Sequence, residues 1–183
     1  MVRLFVAIDI PDSIREQFRE IQEVLRQSRA RLNLVDFESM HITLKFIGEV
    51  TGSSLSQINE ALSGIEISPF SLDVGIIATN NPKTPRVIWA EVQDPGSCRN
   101  LAGLIDAALT PFGIEPEKRR FRPHITIARV KQFHQSLFEP LAEVATLCNG
   151  TIPVDRIILK KSELTPDGPI YTDILNLPLK VQA

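Results

Sequence analysis

Hydrophobic positions along the chain follow two periods, one typical of strands and one typical of helices. Residues 2–10 are mostly β-branched or apolar, which predicts a strand. After Pro11, apolar residues recur every three or four positions, which predicts a helix to about residue 29, with Ser13 and Glu16 spaced as a capping box at its start. The same reasoning predicts further strands at 40–48, 66–78, 86–93, 122–130, 151–161 and 169–177, and helices that begin at Gly52, at 94–97 and near 137.

The order of these elements repeats after a segment of turn-forming residues at 79–85. His41 and His124, which occupy equivalent strands, are 124 − 41 = 83 residues apart. We therefore expect one two-lobed domain over 1–183, with an internal duplication of approximately 1–80 and 86–178. The expected fold class is α+β: two pseudo-symmetric lobes, each an antiparallel sheet with helices packed on its outer side, and a cleft between the lobes.

Composition excludes several classes of protein. The 183 residues are 43% hydrophobic and 23% charged, which is ordinary for a soluble globular domain. Lys and Arg number 20 against 22 Asp and Glu, so the net charge is -2 and extended, non-specific binding along nucleic acid is disfavoured. A small anionic ligand needs only a local cluster of donors and is compatible with this charge.

Two further features bear on location and on metal. The apolar run at the start is interrupted by Asp9 and Pro11, which argues against a membrane span or a signal segment. Cys98 and Cys148 stand alone, without the spacing of a zinc site or a disulfide framework. We expect a cytoplasmic protein, monomeric, without membrane association, metal or cofactor.

Two near-identical tetrapeptides, His-Ile-Thr-Leu at 41–44 and His-Ile-Thr-Ile at 124–127, contain two of the three histidines. Side chains alternate between the faces of a strand, so each motif presents an imidazole and a hydroxyl on one face, about 7 Å apart. Two such faces form a pocket suited to in-line displacement at phosphorus. One neutral histidine takes a proton from water, the other, protonated, gives one to the leaving oxygen, and the hydroxyls donate to phosphoryl oxygens.

The two stretches HITLKFIGEV and RPHITIARV, together with the opening RLFVAIDIP and the length of the chain, carry a family resemblance. The sequence resembles the two-histidine phosphoesterase superfamily, and within it the bacterial and archaeal RNA 2′,3′-cyclic phosphodiesterases, also called 2′-5′ RNA ligases. The resemblance implies metal-independent opening of a 2′,3′-cyclic phosphate to a 2′-phosphomonoester. The implied partners are RNA 3′ ends with that cyclic phosphate, tRNA fragments among them, and reverse joining through a 2′-5′ linkage is also implied.

The resemblance also implies the roles of individual residues. His41 would be the proton donor to the 3′ oxygen and His124 the proton acceptor that activates water. Thr43, Thr126 and Arg129 would bind the phosphate. Since the two motifs are nearly equivalent, the residues alone leave open which histidine is the acid and which is the base.

The alternation of side chains along the motif strands predicts where several other residues lie. Arg129 has the parity opposite to His124, so either a bulge or the strand end turns it inward, or it does not bind substrate. Lys45 has the parity of His41 and is expected at the rim of the cleft. Phe46 and Trp89 are expected in the core.

Two polar segments have no assigned place in the chemistry. His134 lies in the polar stretch FHQS and is expected to face solvent. The run 117–122 is either a solvated charged loop or a cationic rim for an RNA end, with Phe121 available for stacking; neither interpretation is favoured.

Three other functions use the same motifs. The cleft could bind RNA ends without turnover, or the same chemistry could act on linear 2′-5′ oligonucleotides or on a cyclic nucleotide. A metal pair is disfavoured because the sequence shows no His-x-His, His-x-x-x-His or His-carboxylate cluster to complete a ligand set.

Overall fold

The computed structural model describes residues 1–166 and 168–180. This part of the chain forms nine strands and four α-helices. The strands are β1 Val2–Asp9, β2 Arg31–Leu34, β3 His41–Val50, β4 Phe70–Thr79, β5 Val87–Gln93, β6 His124–Gln132, β7 Thr151–Val154, β8 Arg156–Thr165 and β9 Gly168–Pro178. The helices are α1 Asp12–Leu25, α2 Gly52–Ser63, α3 Ser97–Leu109 and α4 Phe138–Val144.

The strands form one antiparallel sheet in the order β7-β4-β5-β6-β3-β1-β8-β9. Strand β2 pairs with residues 128–132 of β6, after the point at which β6 pairs with β3. The predicted α+β class with antiparallel pairing is confirmed. None of the helices within residues 1–166 and 168–180 is long and apolar enough to cross a membrane.

The middle of the sheet is the junction between the two motif strands, β3 and β6, which pair through Ile42 and Ile125. On one side of this junction lie β1, β8 and β9, and on the other lie β5, β4 and β7. Each side takes strands from both halves of the chain, so strand pairing crosses the boundary expected at 80–86. The division into duplicated lobes of about 1–80 and 86–178 stays a prediction.

The core lies between the sheet and the helices. Helix α1 packs against α4, and α2 packs against α3. The apolar residues at three- and four-residue spacing on α1, among them Phe18 and Ile21, are fully buried. Each such side chain contributes about 1.5–3 kcal/mol of transfer free energy. Because the helices cover one face of the sheet, the other face can hold the polar side chains of the motifs.

Local structure differs from the predictions in four places. Helix α1 ends at Leu25, about one turn before the predicted residue 29. Helix α1 begins at Asp12 after Pro11, without a side-chain cap, so the predicted capping box is wrong: Ser13 already lies inside the helix. The predicted strand 151–161 is interrupted at Asp155, where the chain leaves β4 for β1. The four-residue strand β2 is absent from the predictions because it is too short to show a period.

Candidate active site

The two motif strands present their polar side chains on the face of the sheet opposite the helices. Ile42 and Ile125 are fully buried toward the core, and the neighbouring histidines and threonines are partly exposed. Extending the pairing of Ile42 with Ile125 by one residue in each direction places His41 opposite Thr126 and Thr43 opposite His124. Directly opposed residues of antiparallel strands have Cβ atoms about 4.5–5.5 Å apart. The structure thus brings the two motifs together.

Each motif strand contains a bulge immediately after the motif threonine. In β3, Ala7 pairs with Thr43 and Val6 with Lys45, so Leu44 is the additional residue. A bulge reverses the alternation of faces along the rest of the strand. Leu44 and Lys45 are therefore both buried, and Phe46 returns to the face of His41.

The bulge in β6 lies at the same position relative to its motif. Trp89 pairs with Thr126 and Ile88 with Ala128, so Ile127 is the additional residue. Ile127 and Ala128 are both buried, and Arg129 is exposed on the face of His124. The bulge thus resolves the parity conflict of Arg129, which lies on the motif face.

The backbone holds both imidazoles in the same way. His41 Nδ1 lies 2.7 Å from the carbonyl oxygen of Ser39, and His124 Nδ1 lies 2.9 Å from the carbonyl oxygen of Arg122. A carbonyl accepts but does not donate, so Nδ1 carries the hydrogen in each ring. In the neutral rings Nε2 is then the basic nitrogen, and in the protonated rings Nε2–H is a donor.

A hydroxyl and an aromatic ring contact the two imidazoles. His41 Nε2 lies 3.0 Å from Thr43 Oγ1, a hydroxyl that can donate to the neutral ring or accept from the protonated one. The indole of Trp89 lies against His124, with ring centroids 5.2 Å apart and planes at 48°.

Comparison of the whole sequence with known proteins identifies the family of this chain. The sequence model described as LigT like Phosphoesterase matches residues 8–89 and 92–171. The chain is 36% identical over 180 residues to an RNA 2′,3′-cyclic phosphodiesterase of Methanothermobacter thermautotrophicus, with 94% of this chain and 96% of that protein covered. The protein belongs to the LigT-like phosphoesterase family. The resemblance to the two-histidine phosphoesterases seen in the motifs is confirmed.

Solved structures agree with this family. The crystal structure of TT0787 of Thermus thermophilus superposes with a TM-score of 0.84 at 27% identity, over 99% of this chain and 100% of that one. LigT of E. coli in complex with 3′-AMP superposes with a TM-score of 0.78 at 25% identity, over 97% of each chain. The fold of this LigT-like phosphoesterase is therefore that of its solved neighbours.

Charged groups lie close to His41. Lys160 is 7% exposed, and its Nζ lies 3.0 Å from Asp9 Oδ1 and 2.6 Å from Asp173 Oδ1. Burial lowers the pKa of His41, the hydrogen bond to Ser39 opposes this, and the charge of Lys160 lowers the pKa further while that of Asp9 raises it. The charge of His124 also lowers the pKa of His41, by less than the other causes.

Tyr171 of β9 lies beside His41 on the motif face of the sheet. Its ring lies edge-on to His41, with centroids 5.3 Å apart and planes at 85°. Burial raises the pKa of the Tyr171 phenol, and the charge of Arg129 opposes that rise. The charge of Arg129, from the other motif strand, therefore acts on a group that lies beside His41.

Three sequence-based placements in this LigT-like phosphoesterase are wrong, two of them because of the β3 bulge. Lys45 was expected at the rim but is buried. It forms an ion pair with Asp106 of α3 on the helical side of the sheet. Phe46 is 72% exposed rather than in the core. Trp89 is half-buried on the motif face, because it pairs with Thr126.

The two polar segments have different places. His134 is partly buried, and its Nδ1 accepts from the backbone N–H of Ser136 in a short turn before α4. Residues 117–120 are exposed, but Phe121 packs against the core, which disfavours it as a stacking surface.

Sequence reasoning missed Phe5, Tyr171 and Lys160 as neighbours of His41. A cross-strand aromatic or a buried lysine leaves no local pattern. The hairpin of β8 and β9 reaches the motif only through the long-range pairing of β8 with β1. Within the described ranges 1–166 and 168–180, no three His, Cys, Asp or Glu side chains are grouped to hold a metal ion.

Proposed function

We propose that this protein hydrolyses RNA 2′,3′-cyclic phosphodiester ends to 2′-phosphomonoesters by two-histidine acid–base catalysis. The observation that carries the proposal is the pair of imidazoles, both fixed through Nδ1 by a carbonyl two residues earlier. A curated relative that covers the whole domain is named RNA 2′,3′-cyclic phosphodiesterase, which supports the substrate class.

The reaction divides between the two rings. Neutral His124 takes a proton from water at Nε2 as the water oxygen attacks phosphorus. The bond from phosphorus to the 3′ oxygen breaks, and protonated His41 donates its Nε2 proton to that oxygen. The products are a 2′-phosphomonoester and a 3′ hydroxyl, and the histidines exchange protons with solvent before the next turnover.

Phosphate binding is assigned to Thr43, Thr126 and Arg129. Both hydroxyls lie on the motif face, and the guanidinium supplies several donors in a fixed geometry suited to phosphoryl oxygens. These donors act where negative charge develops on the non-bridging oxygens during attack.

The electrostatics of His41 suit a donor only when substrate is bound. In the unliganded cleft its pKa is lowered, chiefly by burial, so the neutral ring is favoured. The phosphodiester brings a negative charge next to the ring, and an adjacent opposite charge favours the protonated form. Substrate binding thus supports the donor role of His41.

The same leaving group allows joining of RNA ends. A 5′ hydroxyl in place of water would attack the same phosphorus, lose its proton to His124 and leave a 2′-5′ linkage. The proposed substrates are RNA 3′ ends with a cyclic phosphate, tRNA fragments among them. We propose that the protein acts on them in the cytoplasm as a monomer.

The first test is hydrolysis of a short RNA with a cyclic phosphate end, in excess EDTA, with the products separated as 2′- and 3′-phosphates. We expect a 2′-phosphate from the wild type and a rate lower by about 10²- to 10⁴-fold in His41→Ala and in His124→Ala. His134→Ala is the matched control, because His134 lies in the turn before α4, and we expect the wild-type rate.

The outcomes separate the alternatives. Saturable binding without product on long incubation would indicate an RNA-end binding module. Turnover of linear 2′-5′ oligonucleotides in preference to cyclic ends would indicate the other phosphodiesterase activity. Activity lost in EDTA and restored by zinc contradicts the proposal.

A sulfur substitution tests which histidine is the donor. When sulfur replaces the bridging 3′ oxygen, the leaving thiolate needs no proton. We expect this substrate to restore most of the rate of His41→Ala and none of the rate of His124→Ala. The reverse pattern would exchange the two roles.

A further inference from the structure

Basic and acidic residues are unevenly distributed along the chain. Three segments, 24–35, 74–90 and 118–138, contain 11 of the 20 Lys and Arg residues and none of the 22 Asp and Glu residues. The rest of the chain has 9 basic residues against all 22 acidic ones, so the net charge of -2 is the sum of a strongly basic part and a strongly acidic part. A local basic surface can bind a polyanion even when the protein as a whole is slightly acidic.

Strand pairing brings the three segments together. Strand β6 lies in the third segment, where residues 128–132 pair with β2 of the first segment and residues 124–129 pair with β5, which begins in the second. Arg129 is the common point, because it pairs with Asn33 of β2 and with Val87 of β5. Basic residues of all three segments therefore collect around the end of β6 that follows the motif.

We call this surface the basic end, and it consists of Arg31, Lys83, Arg86 and Lys131. All four residues are exposed. No ion pair within residues 1–166 and 168–180 involves any of them. Their positive charges are therefore not neutralised by a carboxylate of the described chain and are available to an anionic ligand.

The basic end continues the face that carries the catalytic histidines. Arg129 lies on that face, and its pairing with Asn33 places Asn33 there too. Arg31 precedes Asn33 by two residues in β2, so it shares this face and lies about 7 Å further along the strand. Lys131 follows Arg129 by two residues and is the additional residue of a bulge opposite β2. The cations thus extend outward from Arg129 in the cleft.

The turn between β4 and β5 contributes Lys83 and Arg86 from the other side of β6. The carbonyl oxygen of Arg86 accepts from the backbone N–H of Val130 at 2.9 Å. Within the turn, Asn80 Oδ1 accepts from the N–H of Arg86 and Asn81 Oδ1 accepts from that of Lys83, each at 2.9 Å. The backbone of both basic residues is therefore held in place beside β6.

We propose that the basic end binds the sugar–phosphate backbone of RNA, as a continuation of the phosphate site at Arg129. The proposal rests on the function proposed above and concerns the part of the RNA that lies outside the cleft. Lys and Arg side chains are the usual contacts of backbone phosphates, and the exposed amides of Asn33 and Gln132 between them can donate to phosphate and ribose oxygens. The chain bound there is either the body of the RNA whose cyclic end is hydrolysed or a second RNA whose 5′ hydroxyl is joined.

The first test compares kcat/KM on a mononucleoside 2′,3′-cyclic phosphate with kcat/KM on a single-stranded RNA of about ten nucleotides that ends in the same nucleotide. We expect the wild type to prefer the RNA. The preference should fall as salt rises, since each phosphate contact contributes about 0.7 to the slope of log affinity against log salt concentration. Arg31→Glu and Lys131→Glu should each lower the rate on RNA by about 2- to 10-fold and leave the rate on the mononucleotide unchanged.

Arg99→Glu is the matched control, because it makes the same change in net charge at an exposed arginine of α3, on the helical side of the sheet. We expect this variant to keep the wild-type preference for RNA. The basic end does not bind RNA if the wild type shows no preference for the longer substrate, or if the preference survives in both Arg31→Glu and Lys131→Glu. An equal loss in Arg99→Glu, or an equal loss on both substrates, contradicts the proposal as well.

A binding measurement separates the basic end from the catalytic proposal. Fluorescence anisotropy with a labelled RNA that ends in a 2′-phosphate needs no turnover. We expect Arg31→Glu to bind this RNA more weakly than the wild type, even if no cyclic end is hydrolysed. Calorimetry with adenosine 2′-monophosphate, which is too short to reach the basic end, should give the same affinity for both proteins. Equal affinity of the two proteins for the RNA would overturn the proposal, whether or not the protein is a phosphodiesterase.

Competition distinguishes the two sources of the RNA backbone. If the basic end holds the body of the RNA whose end occupies the cleft, saturating adenosine 2′-monophosphate should displace the labelled RNA. If it holds a second RNA, a labelled RNA with hydroxyl groups at both ends should stay bound while the mononucleotide fills the cleft. In both cases the binding should weaken in Arg31→Glu and not in Arg99→Glu.

Discussion

At the scale of residues, two buried lysines lie on opposite faces of the sheet, one near His41 and the other against a helix. Lys160 and Lys45 are 7% and 6% exposed, and each is ion-paired to aspartate. Lys160 lies on the motif face and acts on the pKa of His41, whereas Lys45 lies against α3 on the opposite face.

Replacement of Lys160 should move the pH dependence of activity. The charged or titratable groups that act on His41 or pack against it are Asp9, Lys160, Tyr171 and His124. Lys160→Met removes a positive charge, so the pKa of His41 should rise. The limb of the pH–rate profile that belongs to His41 should then move to higher pH, whichever proton-transfer role His41 has.

The measurement is an NMR titration of His41 together with kcat/KM between about pH 5 and 9, the range in which a histidine titrates. Lys45→Met is the control for loss of a buried ion pair, and we expect lower stability but an unchanged His41 titration. A His41 pKa that stays the same or falls in Lys160→Met would show that the lysine does not tune the imidazole.

The sequence predicts that the motif histidines and threonines share one face of the sheet because their spacing of two residues is the period of a strand. It does not predict Phe46 and Lys45, because one bulge residue exchanges their faces. The additional residues of the two bulges are Leu44 and Ile127. Neither is a glycine or a proline, which would mark a bulge in the sequence. Arg129 could be placed only when pairing with β5 was known.

At the scale of elements, helix α3 begins with a side-chain cap from outside the helix. Asp94 Oδ1 accepts from the backbone N–H groups of Gly96 and Cys98 at 2.9 and 3.0 Å, and Oδ2 accepts from Arg99 at 2.9 Å. The first N–H groups of a helix have no partner within it, so the bonds to Cys98 and Arg99 stabilise the start of α3, and the bond to Gly96 holds the turn that precedes it.

Loss of this cap should lower stability without affecting the site. We expect Asp94→Ala to lower the free energy of unfolding by about 1–2 kcal/mol, measured by urea denaturation, with the rate on cyclic ends unchanged. Asp155→Ala is the matched control: this exposed carboxylate pairs with its neighbour Arg156, and we expect a change below about 0.5 kcal/mol. Equal effects of the two substitutions would contradict the capping role.

Periodicity predicts most helices and strands because each buries one face along its whole length. Residues 97–109 show this for α3, which ends shortly before Pro111 and Gly113. Periodicity fails where an element is shorter than two periods, as in β2, or where one apolar run serves two strands, as in β7 and β8.

At the scale of the whole molecule, the two cysteines report on global unfolding. Both are free and buried, Cys98 in α3 and Cys148 after α4. Burial raises the pKa of Cys98 to about 12, with a smaller effect from Asp94, and raises that of Cys148 to about 11. The thiolate is the reactive form, so neither cysteine should react readily in the folded protein.

Alkylation should therefore depend on unfolding. At about pH 8, below the ordinary thiol pKa, we expect iodoacetamide to label both thiols slowly in buffer and rapidly in denaturing urea, as followed by mass spectrometry. Rapid labelling of either cysteine in the native protein would show that its side chain is more accessible than the structure indicates.

The sequence could predict α+β architecture and two convergent motifs, but not how the strands are shared. Strand β1 pairs with β8 across more than a hundred residues, whereas β4 pairs with β5 across a short turn. Both pairings depend on which apolar surfaces meet in the folded protein. Periodicity contains no information on such partners. Lys160 and Tyr171 reach His41 through this long-range pairing.

The shared strands also mean that neither half of the chain contains a complete set of paired strands by itself. A gene divided in the loop at residues 80–86 would encode one fragment with β1 and β3 but without β8, and another with β5 and β6 but without β4. Each fragment would expose a sheet edge that only the other could complete. Activity regained on mixing would come from mutual rescue, which makes the protein a natural candidate for a split reporter.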